Sequence, residues 1–127
     1  MTAEAARYLE KAQQCLSNAR IEFDVGLYND AACNAYLAAF HAAQGFIFER
    51  AGKIAKTHGG VHREFARLSK AEPAIENSRV VFLAQAYNLK AVADYETGPG
   101  SSIPAERAST AIEAADQFVR CIREVLA

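Results

Sequence analysis

In this chain of 127 residues, the side chains whose types and spacing could support chemistry fall into three groups. The first is a basic stretch in which Arg50, Lys53, Lys56, Arg63, Arg67 and Lys70 face a single acid, Glu64. Local cation density of this kind suits phosphate, and the free backbone N–H groups at the start of a following helix would add to it. Gly59 and Gly60 would let a phosphate approach that backbone closely. On this reading Lys56, His58, Arg63 and Arg67 are nucleotide or RNA contacts. The competing reading is a solvated linker followed by an ordinary helix surface.

The second group is the histidines. His58 and His62 are four residues apart, so on a helix they share a face and could chelate a metal. Two ligands are too few, however, and Glu64 is offset by two positions, so no metal site is expected and the pair reads as polar cap and surface groups. His41 is the one histidine within a long apolar stretch. A neutral imidazole there could serve as a general base; the plainer alternative is a core histidine bonded to Asn34 or Tyr36. The third group is Leu89-Lys90-Ala91-Val92-Ala93-Asp94-Tyr95. Lys90 and Asp94, at i and i+4, can pair on a helix, with Tyr95 on a neighbouring face. Lys90 and Tyr95 are candidate anion or base contacts; Lys90, Asp94, Tyr95 and His41 are the candidates for catalysis.

No phosphate-cradling Walker loop or dinucleotide G-x-G-x-x-G is present, and nothing in the spacing positions a nucleophilic triad. No cofactor is implied. A net charge of −1 gives no global field toward nucleic acid or lipid, so any such attraction is local. Cys15, Cys33 and Cys121 are odd in number and widely spaced, which argues against a disulfide framework. The first residues lack the basic start and apolar stretch of a signal peptide, and no apolar run could span a bilayer, so a cytoplasmic protein without membrane contact is expected.

These groups need helices to hold them. Ala5, Leu9, Ala12, Leu16, Ala19 and Phe23 repeat at spacings of four and three, the signature of a first amphipathic helix with Thr2 as N-cap and Gly26 as stop. From Ala31 to Ala51 apolar residues surround the axis, so this second helix belongs at the centre of a bundle, with Asn29 or Asp30 as its cap. Gly52 ends it, and Thr57 caps a short third helix with Val61, Phe65 and Leu68 inward. A fourth helix is expected from about Ala74 to Tyr95, with Val81, Leu83 and Ala84 among its apolar positions. Turn formers at 97–102 precede a fifth that begins near Pro104. The expected architecture is all-α: one domain over residues 1–127, an antiparallel up-and-down bundle of four long helices plus one short helix.

Three of these segments together resemble the HEPN superfamily of small helical bundles. Asn34-Ala35-Tyr36-Leu37-Ala38-Ala39-Phe40-His41-Ala42-Ala43 is similar to the family's "AYYAxFHAA" core helix. Lys56-Thr57-His58-Gly59-Gly60-Val61 is similar to "KTHxGV", and Leu89 to Tyr95 to "LRxxADY". The resemblance implies a homodimer associated with nucleotides or RNA, and a minimal nucleotidyltransferase as partner in a toxin–antitoxin or stress system. It also implies, for some members, metal-independent endoribonuclease activity through an Arg-x(4–6)-His motif, the arginine holding phosphate charge and the histidine supporting attack by a ribose 2′-hydroxyl. This chain departs there: Lys90 stands at the arginine, and Asp94 and Tyr95 at the histidine. Lysine lacks the two-pronged donor geometry of arginine, and an ordinary tyrosine is a poor base at neutral pH. The leading expectation is therefore a non-catalytic or divergent HEPN-like binding module. The alternatives are a ribonuclease that recruits another imidazole, such as His41, and a purely structural dimerisation module.

Overall fold

Thr2 begins the fold by accepting the Ala5 N–H on its hydroxyl at 3.1 Å, which starts α1 (Ala3–Asp24). In the computed structural model, which describes residues 1–98 and 102–127, four further helices follow. These are α2 (Tyr28–Ala51), α3 (His58–Ser69), α4 (Asn77–Tyr95) and α5 (Ala105–Leu126). The chain is all-helical, and no strand occurs among the described residues. Of the turn formers at 97–102, residues 99–101 lie outside the described residues.

Two helix starts differ from the sequence expectation. Neither Asn29 nor Asp30 caps α2, which begins at Tyr28 behind Leu27. Instead the Asn29 side chain accepts the Ile103 N–H at 2.8 Å, tying the start of α2 to the segment that leads into α5. Helix α4 begins at Asn77 rather than Ala74, because the chain after α3 first makes a turn that buries Ile75.

Helix α2 touches every other helix. Its alanines make this possible: Ala35, Ala38, Ala39, Ala42 and Ala43 are all fully buried, and such small side chains let neighbouring axes approach. Gly45 shows how close α1 comes, since a Cβ there would lie 3.2 Å from Tyr8 Cβ and 3.3 Å from the Ala5 carbonyl oxygen. Direction follows from the contacts. Thr2 meets Glu49, and Tyr36 and Cys33 meet Tyr87 and Asp94, so α1 and α4 both run antiparallel to α2. Arg20 on α1 meets Glu113 and Asp116 on α5, consistent with the same alternation. Phe65 joins the layers, its ring 5.7 Å from Phe46 on α2 and 5.2 Å from Phe118 on α5.

Helix α4 is the least buried of the long helices. Only Leu83, Ala86 and Leu89 are fully inside, while the apolar Val81 and Ala84 are exposed. The cause is geometric. α4 packs on α2 but hardly on α5, so its buried stripe is one row at a spacing of three. This leaves two of its faces open, and one of them carries the polar site.

Candidate functional site

The site begins at the turn into α3. Thr57 is in extended conformation, and its hydroxyl accepts the Gly60 N–H at 2.9 Å. A Cβ at Gly60 would stand 2.8 Å from Ala55 Cβ and 2.9 Å from Thr57 Oγ1, so the turn closes this tightly only with glycine. That turn makes His58 the first residue of α3 and points it, together with His62 one turn later, at α2.

Both imidazoles converge on one atom. The Tyr36 hydroxyl lies 2.7 Å from His58 Nδ1 and 3.0 Å from His62 Nε2. Tyr36 itself is fully buried, and burial pushes its pKa up, so the oxygen stays a neutral hydroxyl. With one proton to give, it donates to one imidazole and accepts from the other. Burial also lowers the pKa of both histidines, with the nearby Lys90 charge contributing to His58 and the His58 charge to His62. Around this core the His58 ring stacks on Tyr87 at 5.3 Å and lies 4.5 Å from Phe40.

Tyr87, Lys90 and Asp94 follow one another along α4 at spacings of three and four, opposite Tyr36 and Cys33 on α2. Lys90 Nζ donates to Asp94 Oδ2, while the Cys33 thiol donates to the other carboxylate oxygen at 3.2 Å. The hydrogen bond to Lys90 holds the Asp94 pKa below its ordinary value and raises that of the lysine. Burial, with the Asp94 carboxylate behind it, pushes Cys33 up to about 12, so this thiol is a hydrogen-bond donor and not a nucleophile. The result is an ordered side-chain cluster where α2, α3 and α4 meet: an aromatic wall, two neutral imidazoles on a shared hydroxyl, and one partly buried cation.

The candidates named from sequence separate here. Lys90 and Asp94 pair as expected. Tyr95 is 77% exposed, outside the aromatic wall. His41 bonds Gln44 at 2.8 Å, not Asn34 or Tyr36, and Asn34 instead donates to Glu22 at 2.7 Å. Its pKa is lowered mainly by burial. Of the basic stretch, Arg67 is paired with Glu64 and Arg50 with Glu72, so two of its six cations are engaged in ion pairs. Lys56 and Arg63 remain at the surface, with Arg63 Nη1 3.4 Å from where a Gly59 Cβ would be. Among the described residues no group of three or more His, Cys, Asp or Glu could hold a metal.

Reading His58 and His62 as surface groups is corrected: both are half-buried and bonded to Tyr36. Tyr36, Tyr87 and Cys33 were missed as site residues. One signal was available for Tyr36: a hydroxyl in the middle of a fully apolar helix has to find a partner.

A groove of about 660 Å³ runs between α4 and α5, lined by Phe82, Ala86, Leu89, Arg107 and Thr110 among others. It contains no imidazole and none of the Tyr36 cluster. Its size reflects the weak packing of α4 on α5, and the chemistry lies on the opposite side of α4.

Fold and site together define a small all-α bundle with a histidine–tyrosine cluster at its central helix. The chain belongs to the HEPN domain family, whose profile matches residues 5–125. It is 33% identical over 123 residues to a Methanocaldococcus jannaschii protein named "Putative toxin MJ0605", covering 97% of this chain and 89% of that one. It is also 30% identical over 87 residues to a UPF0332 protein of Archaeoglobus fulgidus, covering 68% of each. The crystal structure of TT1696 from Thermus thermophilus shares the fold, with a TM-score of 0.82 and 22% identity over 98% of this chain and 99% of that one. No helix among the described residues is long and apolar enough to cross a membrane.

Proposed function

We propose that this chain is the toxin-like member of a two-component stress system, binding single-stranded RNA or nucleotide at the α2/α3/α4 cluster. The packing of Tyr87 on His58 and Tyr36, with Lys90 three residues further along the same helix, is the observation that carries this reading. A partly buried lysine already ordered by Asp94 can take a phosphate oxygen, and the partly exposed ring of Tyr87 offers a base an aromatic neighbour. Lys56 and Arg63, exposed at the start of α3, extend the positive surface along a backbone. The toxin assignment is supported by the name of the archaeal relative, and a nucleotidyltransferase that masks the cluster is the matching antitoxin partner. The chain acts as a homodimer, as the family resemblance implies.

Fluorescence anisotropy with a short labelled single-stranded RNA, at low salt and with chelator, tests the binding. Wild type binds, and Lys90→Ala loses roughly tenfold in affinity, about one charge-assisted contact. Absence of binding at low salt contradicts the reading. Induced expression of the chain alone arrests growth if the toxin assignment holds, and has no effect if it does not.

A further inference from the structure

His58 and His62 alone are too few donors for a metal ion, but the fold brings a third donor to the same point. We propose that Tyr36, His58 and His62 form a binding site for one divalent transition-metal ion of the zinc and copper class. The site stands apart from the RNA-binding reading and needs none of its contacts.

Spacing and direction carry it. His58 and His62 are four residues apart at the start of α3, so both rings leave the same face of that helix. Each aims a ring nitrogen at one oxygen: His58 Nδ1 is 2.7 Å and His62 Nε2 is 3.0 Å from the Tyr36 hydroxyl. An imidazole nitrogen holds a hydrogen-bond partner and a metal along the same direction, so both rings are already turned toward a common centre. Bonds of about 2.0–2.1 Å to a tetrahedral ion put its donors about 3.3 Å apart. The two nitrogen–oxygen separations therefore widen by only about 0.3–0.6 Å as the nitrogens close on the ion, a change that half-buried imidazoles can make by side-chain rotation.

The donor set names the class of ion. Two imidazoles and a phenolate suit zinc and, by the general stability order, copper(II) more strongly. Magnesium and calcium need more oxygen ligands than this cluster holds. Three protein donors leave the fourth position to water, as in zinc sites with an open position. Phe40 and Tyr87, with ring centroids 4.5 and 5.3 Å from that of His58, keep this imidazole in its aim.

Proton bookkeeping sets a signature. The two imidazoles are neutral and bind without losing a proton. Tyr36 has to lose one. Burial keeps its hydroxyl protonated when alone, but a divalent ion on the same oxygen reverses that preference, as zinc does for a bound water. The O–H bond breaks as the oxygen–metal bond forms, and the proton passes to solvent. The phenolate then cancels one of the two positive charges, which limits the cost of holding the ion beside a buried ring.

The experiment titrates the untagged full chain with zinc chloride in a calorimeter, in two buffers of different ionisation enthalpy, reading affinity, stoichiometry and protons released. Wild type takes one ion per chain, releases about one proton per ion near pH 7.5, and gains at least about 5 °C in Tm at saturating zinc. His58→Gln and His62→Gln each lose at least about 100-fold in affinity, beyond the range typical of a group that only orients a ligand. Tyr36→Phe, shown to be folded by circular dichroism, weakens binding at least about tenfold and abolishes the proton release. With copper(II), wild type shows a visible phenolate-to-metal absorption band that Tyr36→Phe lacks. Zinc binding unchanged in a folded His58→Gln, His62→Gln double variant places the ion elsewhere and overturns the site. Binding without proton release that Tyr36→Phe leaves unaltered overturns the three-donor assignment, and no binding by wild type up to about 1 mM zinc overturns it outright. Each of these results leaves the RNA-binding reading untouched.

Discussion

Nδ1 of His58 lies 2.7 Å from the hydroxyl of Tyr36, the one polar atom of a side chain that is otherwise sealed in the bundle. That contact, with its twin to His62, ties α3 to the central helix through hydrogen bonds rather than through apolar packing alone. Tyr36→Phe keeps the ring and removes both bonds. The imidazoles are half-buried and can recover part of the loss from water, so the expected cost is about 1–2 kcal/mol. Thermal unfolding followed by circular dichroism checks this as a fall of about 3–7 °C in Tm. An unchanged Tm would mean that the hydroxyl does not hold α3.

The two adjacent glycines at the start of α3 should respond in opposite ways. Gly60→Ala places a Cβ 2.8 Å from Ala55 Cβ and 2.9 Å from Thr57 Oγ1, neither of which is the far end of a flexible chain. It should cost about 1–3 kcal/mol and loosen His58, whose position depends on that turn. A Cβ at Gly59 meets only Arg63 Nη1 at 3.4 Å, a tip that can swing away. Gly59→Ala should be neutral or stabilise by up to about 1 kcal/mol, since alanine gives up less entropy in a helix. Chemical denaturation of the two variants side by side distinguishes them.

The helices were legible in the sequence because their signals are local. The four-and-three spacing from Ala5 to Phe23, the all-round apolar run after Ala31, and the Thr57 cap each depend on residues within one or two turns. Which apolar positions of α4 are buried, Leu83 but not Val81 or Ala84, was not legible, because it depends on how closely α5 approaches α4, a long-range outcome. The site divides the same way. Lys90 and Asp94 are neighbours on one helix, and their pairing follows from spacing. Tyr36, His58 and Tyr87 come from three helices, and no periodicity within one helix could bring them together. The motif segments carrying them were visible, but their mutual distance was not.

Acid should weaken the fold through the histidines. His41, His58 and His62 all have pKa values lowered in the folded chain, each mainly by burial. Below the unfolded value of about 6.5 the unfolded chain takes up protons that the folded one resists. Their contribution is therefore complete above about pH 6.5 and is lost as pH falls through the lower folded values. Protonating both members of the Tyr36 pair also leaves two donors against one hydroxyl whose own proton has no acceptor. Tm measured from about pH 7.5 down to about pH 5 should decline, and His58→Gln with His62→Gln should flatten the curve. A decline of equal steepness in the double variant would assign the acid sensitivity elsewhere.

Asp94 restrains Lys90, and removing that restraint should sharpen the binding of anions. The carboxylate of Asp94 neutralises the lysine and competes with any phosphate for it. Asp94→Asn keeps the shape and leaves an amide oxygen that the Cys33 thiol can still use as acceptor. The pair is partly exposed and runs in the less favourable order along the helix, so its loss should change stability by less than about 1 kcal/mol. Affinity for single-stranded RNA should rise by about two- to fivefold, the equivalent of up to about 1 kcal/mol of released attraction. If Lys90 gains a full phosphate contact, the plot of log affinity against log salt should also steepen by about 0.7, the increment for one neutralised phosphate on a single strand. Anisotropy titrations at several salt concentrations give both numbers. A slope and affinity identical to wild type would remove Lys90 from the binding face, while a steeper slope with weaker affinity would mean that Asp94 orders the lysine more than it competes for it.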